Sequence, residues 1–256
     1  MLLIGHGALA RWLIDTSEAQ GGFDVVALLV RNCDVEEVQK ARPAAQVVAS
    51  VDALTVPVEL AIEVAGAEAV TEHVSQLLAR GVNTAIASTG ALARAGVLDR
   101  LLQCAEQGKS TLKLLSGAVG GLDLLAVHRQ AGLKRVVYTG RKPPLAWKGP
   151  HAPKRTDVES TIFEGTAREA AIAFPSNANV AATIALAGAG LDRTEVRLVS
   201  DPSIGQNLHV VEAESEVGSF RLEMSGRPLA SNPSTSALTA FSALNLLSGL
   251  TQTLII

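Results

Sequence analysis

Apolar residues fall into short unbroken runs and helically spaced stripes that take turns through residues 1–115. Leu2 to Ile4 predicts a strand, followed by a turn at Gly5 and a helix carrying Leu9, Trp12 and Leu13. Asp24 to Val30 predicts a second strand whose continuous apolar run, Val25 to Val30, is the pattern of a strand covered on both faces. Weaker strands are expected at Gln46 to Val48 and Leu60 to Val64. Val70, Val74, Leu77 and Leu78 stripe one side of a helix over Ala67 to Arg80. Val82 to Ala87 then reads as a strand, Val97 to Glu106 as a helix and Thr111 to Leu115 as a strand. Such alternation predicts a doubly wound parallel sheet.

The rhythm changes after Gly121. A helix is expected over Leu122 to Gln130 and a strand over Arg135 to Thr139, and then Arg141 to Ser160 is basic, Pro-rich and without period. A loop of that length inside a compact domain usually carries function or is disordered. A strand near Thr161 follows, with helices over Ala167 to Phe174 and Val180 to Ala187. Strands at Val196 to Val199, Leu208 to Ala213 and Phe220 to Met224 come next. Strands grouped with few helices between them predict an α+β second domain with a mixed or antiparallel sheet. The apolar helix over Thr235 to Leu247 is expected to pack back on the first domain. The organisation expected is therefore a nucleotide-type domain at 1–115 with 235–256 packed on it, and a second domain at 116–234.

Composition narrows the classes. No apolar run approaches the roughly 20 residues that cross a bilayer, although 48% of the chain is hydrophobic. A net charge of −3 and an aromatic content of 3% give no support for nucleic-acid or membrane binding. Cys33 and Cys104 lack CxxC or CxxH neighbours, so no metal site is expected and both read as reduced thiols of a cytoplasmic protein.

Two glycine-rich junctions carry the candidate chemistry. Gly5-x-Gly7-x-x-Ala10 follows a strand and opens a helix, the context in which this turn binds a dinucleotide and the sheet is Rossmann-type. Gly5 makes the turn, Gly7 lets the pyrophosphate approach, and Ala8 and Leu9 open the helix whose free N–H groups face it. Arg31 stands where a strictly NAD-dependent site places an acid. It offers a cation to a 2′-phosphate or simply faces solvent, so either NAD or NADP is allowed. The second junction, Ser116 to Asp123 (SGAVGGLD), leaves the backbone bare between a strand and a helix. A bulky side chain at Gly120 or Gly121 is expected to impair turnover more than folding. Further on, Asn179 begins a helix and His209 lies in an alternating strand. From spacing alone, an N-cap is as common a role for such an asparagine as a functional one, and a structural role is the commoner one for such a histidine.

Taken together, SGAVGGLD, Tyr138 to Gly149 (YTGRKPPLAWKG), Phe163 to Arg168 (FEGTAR), Phe174 to Ala182 (FPSNANVAA) and Asp201 to His209 (DPSIGQNLH) resemble the L-aspartate dehydrogenase family. The resemblance runs in order along essentially the whole chain. It implies a two-domain, usually dimeric NAD(P)-dependent amino-acid dehydrogenase that interconverts L-aspartate and iminoaspartate. Iminoaspartate hydrolyses to oxaloacetate and ammonia or feeds NAD biosynthesis. The motifs place His209 at the family's catalytic histidine, and Ala118 and Asn179 at dinucleotide-contacting positions. The second domain would then carry catalysis, substrate binding and dimerisation.

Oxidation at Cα requires a neutral amine, which His209 could generate by accepting the ammonium proton. The two carboxylates of the substrate call for donors. Arg141, Lys142 and Lys148 are the nearest cations and Ser116 and Thr139 the nearest hydroxyls. A related two-domain dehydrogenase of homoserine or dihydrodipicolinate type, and a non-catalytic dinucleotide sensor, are the competing expectations.

Overall fold

The computed structural model describes residues 1–147, 152–153, 155–175, 178–250 and 253. The chain divides into two compact units. The first is Met1–Leu115 with Leu229–Thr235 and the segment from Thr239 on; the second is Ser116–Pro228 with Ser236–Leu238.

In the first unit β1 (Leu2–Ile4), α1 (Ala8–Gln20), β2 (Ala27–Leu29), α2 (Val35–Ala41), β3 (Gln46–Val48) and β4 (Leu60–Glu63) lead into α3 (Ala67–Ala69) and α4 (Ser75–Ala79). Strand β5 (Asn83–Ile86), α5 (Val97–Gly108) and β6 (Leu112–Leu114) complete the run. The six strands form a parallel sheet in the order β3-β2-β1-β4-β5-β6. The doubly wound sheet anticipated from the apolar runs is present. Its strand order reverses between β1 and β4, the position at which open α/β sheets bind ligands.

Local chemistry explains the departures from the sequence reading. Strand β2 is shorter than Asp24 to Val30, yet the Val26 and Val30 N–H groups still donate to the Met1 and Val48 carbonyls at 3.0 and 2.9 Å. The helix expected over Ala67 to Arg80 is divided by a π-turn at Val70–Val74, which brings His73 to the buried side with Val70 and Val74. Helix α2 had no apolar stripe to announce it, since only Val38 is buried there.

One polar group is locked into the first unit. Glu63, at the end of β4, is fully buried. Its Oε1 accepts from the Ala65 and Gly66 N–H groups, both at 2.7 Å, and from Ser88 Oγ at 2.9 Å, while Oε2 accepts from the Ser88 N–H at 3.0 Å. Burial pushes its pKa up against the pull of these donors. The carboxylate thereby ties the loop after β4 to the loop after β5.

The second unit contains α6 (Leu122–Gln130), β7 (Leu133–Lys142), β8 (Ser160–Thr166), α7 (Ala167–Ala173), α8 (Ala178–Ala187), β9 (Glu195–Ser200), β10 (Asn207–Ser215) and β11 (Gly218–Gly226). Its five strands form a mixed sheet in the order β11-β10-β7-β9-β8, antiparallel except for the β7/β9 pair. Helices α6, α7 and α8 pack on this sheet, with Leu125, Ala170, Ala171, Ile184 and Ala185 buried. A short ribbon, β12 (Pro228–Leu229) with β13 (Asn232–Ser236), precedes α9 (Ala237–Gly249). In the first unit Phe241 of α9 meets Trp12 of α1 edge-on at 5.1 Å. No helix among the described residues is long and apolar enough to cross a membrane.

The Glu63 clamp leads to a stability prediction. Glu63→Gln would turn an N–H donor toward the Ser88 N–H, and it should destabilise the fold by about 1–3 kcal/mol. Denaturant unfolding would show this as a lowered midpoint with unchanged slope.

Candidate active site

The turn after β1 is shaped for a phosphate. Gly5 has φ +107°, and a Cβ there would lie 2.9 Å from Ala65 Cβ, so only glycine permits this approach to the loop held by Glu63. Gly7 caps α1 without any side-chain partner, and a Cβ built on it meets nothing within 4 Å. No acidic residue occupies the first turn of α1. The helix start therefore has no side-chain cap and no carboxylate beside it, which fits an anionic pyrophosphate. Ala8 is half-buried and Leu9 buried, so Leu9 faces the core.

Arg31 follows β2 with its side chain 82% exposed, and its Nε donates to Asp34 at 2.8 Å. An acid is thus present near the end of the second strand, three residues later than the position where sequence reasoning looked for it. The 3-10 turn at Asn32–Asp34 brings it back.

In the second unit the candidate residues are sorted by strand alternation. His209 on β10 pairs directly with Gly140 on β7 and with Met224 on β11. Directly paired residues share a face, so His209, Gly140 and Met224 lie together with Tyr138, Lys142, Leu198 and Ser200. Thr139 and Arg141 alternate to the other face, paired with Val210 and Leu208. There Arg141 donates to Asp201 at 2.6 Å and also pairs with Glu159. The structure therefore does not bring Thr139 or Arg141 to His209. The expectation that grouped them as substrate donors treated 141–142 as loop, whereas β7 continues to Lys142 and turns neighbouring cations in opposite directions.

His209 is 5% exposed, and its Nδ1 is 2.8 Å from the hydroxyl of Tyr138. The two rings stack at 6.0 Å with an interplanar angle of 19°. Burial, reinforced by the charge of Lys142, lowers the His209 pKa to about 4. Burial alone lowers Lys142 to about 8, where its ammonium sits 5.4 Å from the centre of the Trp147 ring. Lys142 pairs in register with Ser200, whose buried hydroxyl has no partner among the described residues, as is also true of the buried Trp147 Nε1. Tyr138, Ser200 and Trp147 escaped sequence reasoning as site residues. The alternation Tyr138, Gly140, Lys142 was the available signal, once the strand is known to extend that far.

The other candidates are placed as follows. Ser116 is half-buried and opens the turn that leads to α6; Ala118 is 9% exposed within it. The Gly120 N–H donates to Met224 Sδ at 3.1 Å, which carries this turn to the strand residue paired with His209. Asn179 is exposed in the first turn of α8, a helix that packs on β7. Lys148 lies outside the described residues.

Comparison with known proteins adds to this geometry. Residues 3–114 match the family described as the NAD-binding domain of homoserine dehydrogenase, and residues 123–250 match the C-terminal domain of aspartate dehydrogenase. An L-aspartate dehydrogenase of Polaromonas sp. is 45% identical over 256 residues, covering 96% of this chain and 95% of that one. An L-aspartate dehydrogenase of Ralstonia nicotianae is 43% identical over 254 residues with the same coverage. The crystal structure of an aspartate dehydrogenase from Thermotoga maritima aligns with 100% of this chain and 97% of its own. Its TM-score is 0.79 at 28% identity.

The two glycines of the turn before α6 separate in their demands. Gly121 has φ +70°, and a Cβ there would lie 2.7 Å from Leu222 Cδ2, whereas one on Gly120 would come no closer than 4.0 Å to Met224 Sδ. Gly121→Ala should therefore cost about 1–2 kcal/mol of stability. Gly120→Ala should stay within about 0.5 kcal/mol. Thermal melts of the two variants side by side check the difference, which separates a position where folding is also at stake, Gly121, from one with room for a side chain, Gly120.

Proposed function

The chain belongs to the L-aspartate dehydrogenase family, and on that premise we propose that it oxidises L-aspartate to iminoaspartate with NAD or NADP and runs the reverse reductive amination. His209 is the general acid–base in this reading. The observation that carries it is a buried, neutral imidazole on a sheet face that also presents the Lys142 ammonium.

L-Aspartate enters with a protonated amine and two carboxylates. His209, held neutral by its surroundings, accepts the ammonium proton and leaves the nitrogen lone pair free to form the C=N bond. Bringing two carboxylates into this environment opposes the desolvation that depresses the imidazole, so the imidazolium is stabilised only while substrate is present. Lys142 supplies a cation for one carboxylate. Ser116 would donate its hydroxyl to the substrate, Ala118 and Asn179 would contact the dinucleotide, and the Gly5 to Leu9 turn would hold the pyrophosphate. Bound dinucleotide supplies the hydride acceptor. The Arg31–Asp34 pair supports use of both cofactors, since Asp34 suits a ribose hydroxyl and Arg31 a 2′-phosphate. Iminoaspartate released from the site hydrolyses to oxaloacetate and ammonia or enters NAD biosynthesis.

We also infer a cytoplasmic homodimer. The sheet face opposite His209 carries the ion pairs Arg135–Glu195, Arg197–Glu164 and Arg221–Glu212. Such a face offers a second copy of the chain self-complementary charge.

His209→Asn should lower aspartate-dependent NAD(P) reduction by about 10²–10⁴-fold with dinucleotide affinity unchanged; near-normal turnover would sink the assignment. The pH profile of kcat/KM is a second check. Because the His209 pKa lies near 4, the rate should not decline between pH 7 and 5 as it would for an ordinary imidazole. It should fall as pH rises through about 8, where Lys142 loses its proton, and Lys142→Met should abolish that upper limb.

A further inference from the structure

From the β7/β10 pairing we infer that Tyr138 is a positioning residue for His209, and that Gly140 is a glycine to let the Tyr138 hydroxyl reach the imidazole. The inference rests on the acid–base reading of His209.

Three features converge on it. The Tyr138 hydroxyl is 2.8 Å from Nδ1, with both residues buried, so the contact is shielded from competing solvent. The near-parallel stacking of the two rings fixes the plane of the imidazole as well as one nitrogen. Gly140, the residue directly across from His209, lies between them along β7. A Cβ on Gly140 would stand 2.7 Å from the Tyr138 hydroxyl oxygen, 3.1 Å from Cζ and 3.2 Å from Leu198 Cδ2. The demand at this position is for space beside the phenol.

The chemical consequence follows from which nitrogen is engaged. With Nδ1 committed to Tyr138, Nε2 is the nitrogen left to exchange a proton with the substrate amine. A base at Nε2 must carry its hydrogen on Nδ1, and the phenol oxygen accepts that hydrogen both before and after Nε2 is protonated. Burial holds the phenol pKa well above its ordinary value, so Tyr138 stays neutral and does not itself exchange the proton. A carboxylate in the same place would hold the imidazole charged in the resting enzyme. A phenol orients the ring without that effect and leaves charging to the arrival of the substrate. Lys142 is the charged group on this face that acts on His209, and it opposes imidazolium formation.

The test combines kinetics with nitrogen NMR on the full-length protein. Tyr138→Phe should lower kcat about five- to tenfold, the loss of one neutral hydrogen bond, with the KM for L-aspartate and dinucleotide affinity little changed. Gly140→Ala should give a similar loss. In the Tyr138→Phe background, which has no hydroxyl to displace, Gly140→Ala should add less than about twofold, because the two changes remove the same contact. Histidine 15N spectra of the unliganded protein, with the His209 signals assigned by His209→Asn, should show the proton distribution between Nδ1 and Nε2 altered in Tyr138→Phe. Thermal melts confirm that each variant is folded. If Gly140→Ala fails to fold, Tyr138→Phe and its spectra decide alone. Wild-type kcat together with unchanged His209 spectra in Tyr138→Phe overturns the proposal, as does full additivity of the two substitutions. An enzyme that turns over no L-aspartate defeats the functional reading instead, while the spectra still decide whether Tyr138 sets the His209 tautomer.

Discussion

The register of β7 against β10 is the constraint on which the second unit depends. Strand side chains alternate with a period of two, so a slip of one residue in β7 would send Tyr138 and Lys142 away from the face of His209 and bring Thr139 and Arg141 in their place. Burial enforces the register. Val136, Tyr138, Val211 and Ala213 are all buried under the helices, and the alternative would place Arg135 and Glu212 there. The apolar core that stabilises the sheet thus also decides which polar residues share the face of His209. A single glycine at the pairing position then determines what the histidine can touch.

The same alternation divides charge between the two faces. Glu164, Glu195, Glu212, Glu214 and Glu223 are the carboxylates borne by the five strands, and each shares the face of Arg141 and Thr139 by register. Most are matched there by Arg135, Arg197 or Arg221. The His209 face receives none of the strand carboxylates. In the proposed reaction a substrate with two carboxylates would meet no like charge from the sheet, and those carboxylates would be the counter-charge to the imidazolium. In a partly desolvated site this matters more than it would in water, because Coulomb energies grow as the effective dielectric falls.

How much of this was legible in the sequence depended on whether the signal was local. The parallel sheet was readable because strands covered on both faces appear as unbroken apolar runs, as Val25 to Val30 does. The end of β7 was not, since Gly140, Arg141 and Lys142 carry no apolar signal and only pairing with β9 and β10 makes them strand. From that one boundary came the grouping of Arg141 with Lys142 that the structure separates. The Tyr138–His209 contact spans 71 positions and cannot be read from spacing. Asp34 was overlooked because its relation to Arg31 arises from a 3-10 turn rather than from the strand itself. The family motifs pointed to His209 without revealing what holds it.

The first unit handles its buried polar group differently, and the contrast is informative. Glu63 is an ionisable group held without a cation among the described residues, stabilised by three N–H donors and one hydroxyl that belong to two loops. Those loops follow β4 and β5, and one of them carries Ala65, the residue against which Gly5 closes. The shape of the glycine turn is therefore set from beneath by a carboxylate that never meets solvent. Moving Ala65 by even a few tenths of an ångström would change the space that makes Gly5 obligatory. In the second unit a neutral phenol contacts an imidazole that, in the proposed reaction, changes charge. Here a carboxylate saturated with donors fixes a backbone that must not move. The two partners differ because the demands on them differ. A group that titrates during turnover needs a partner tolerant of both states, whereas a scaffold is best held by hydrogen bonds that are costly to break.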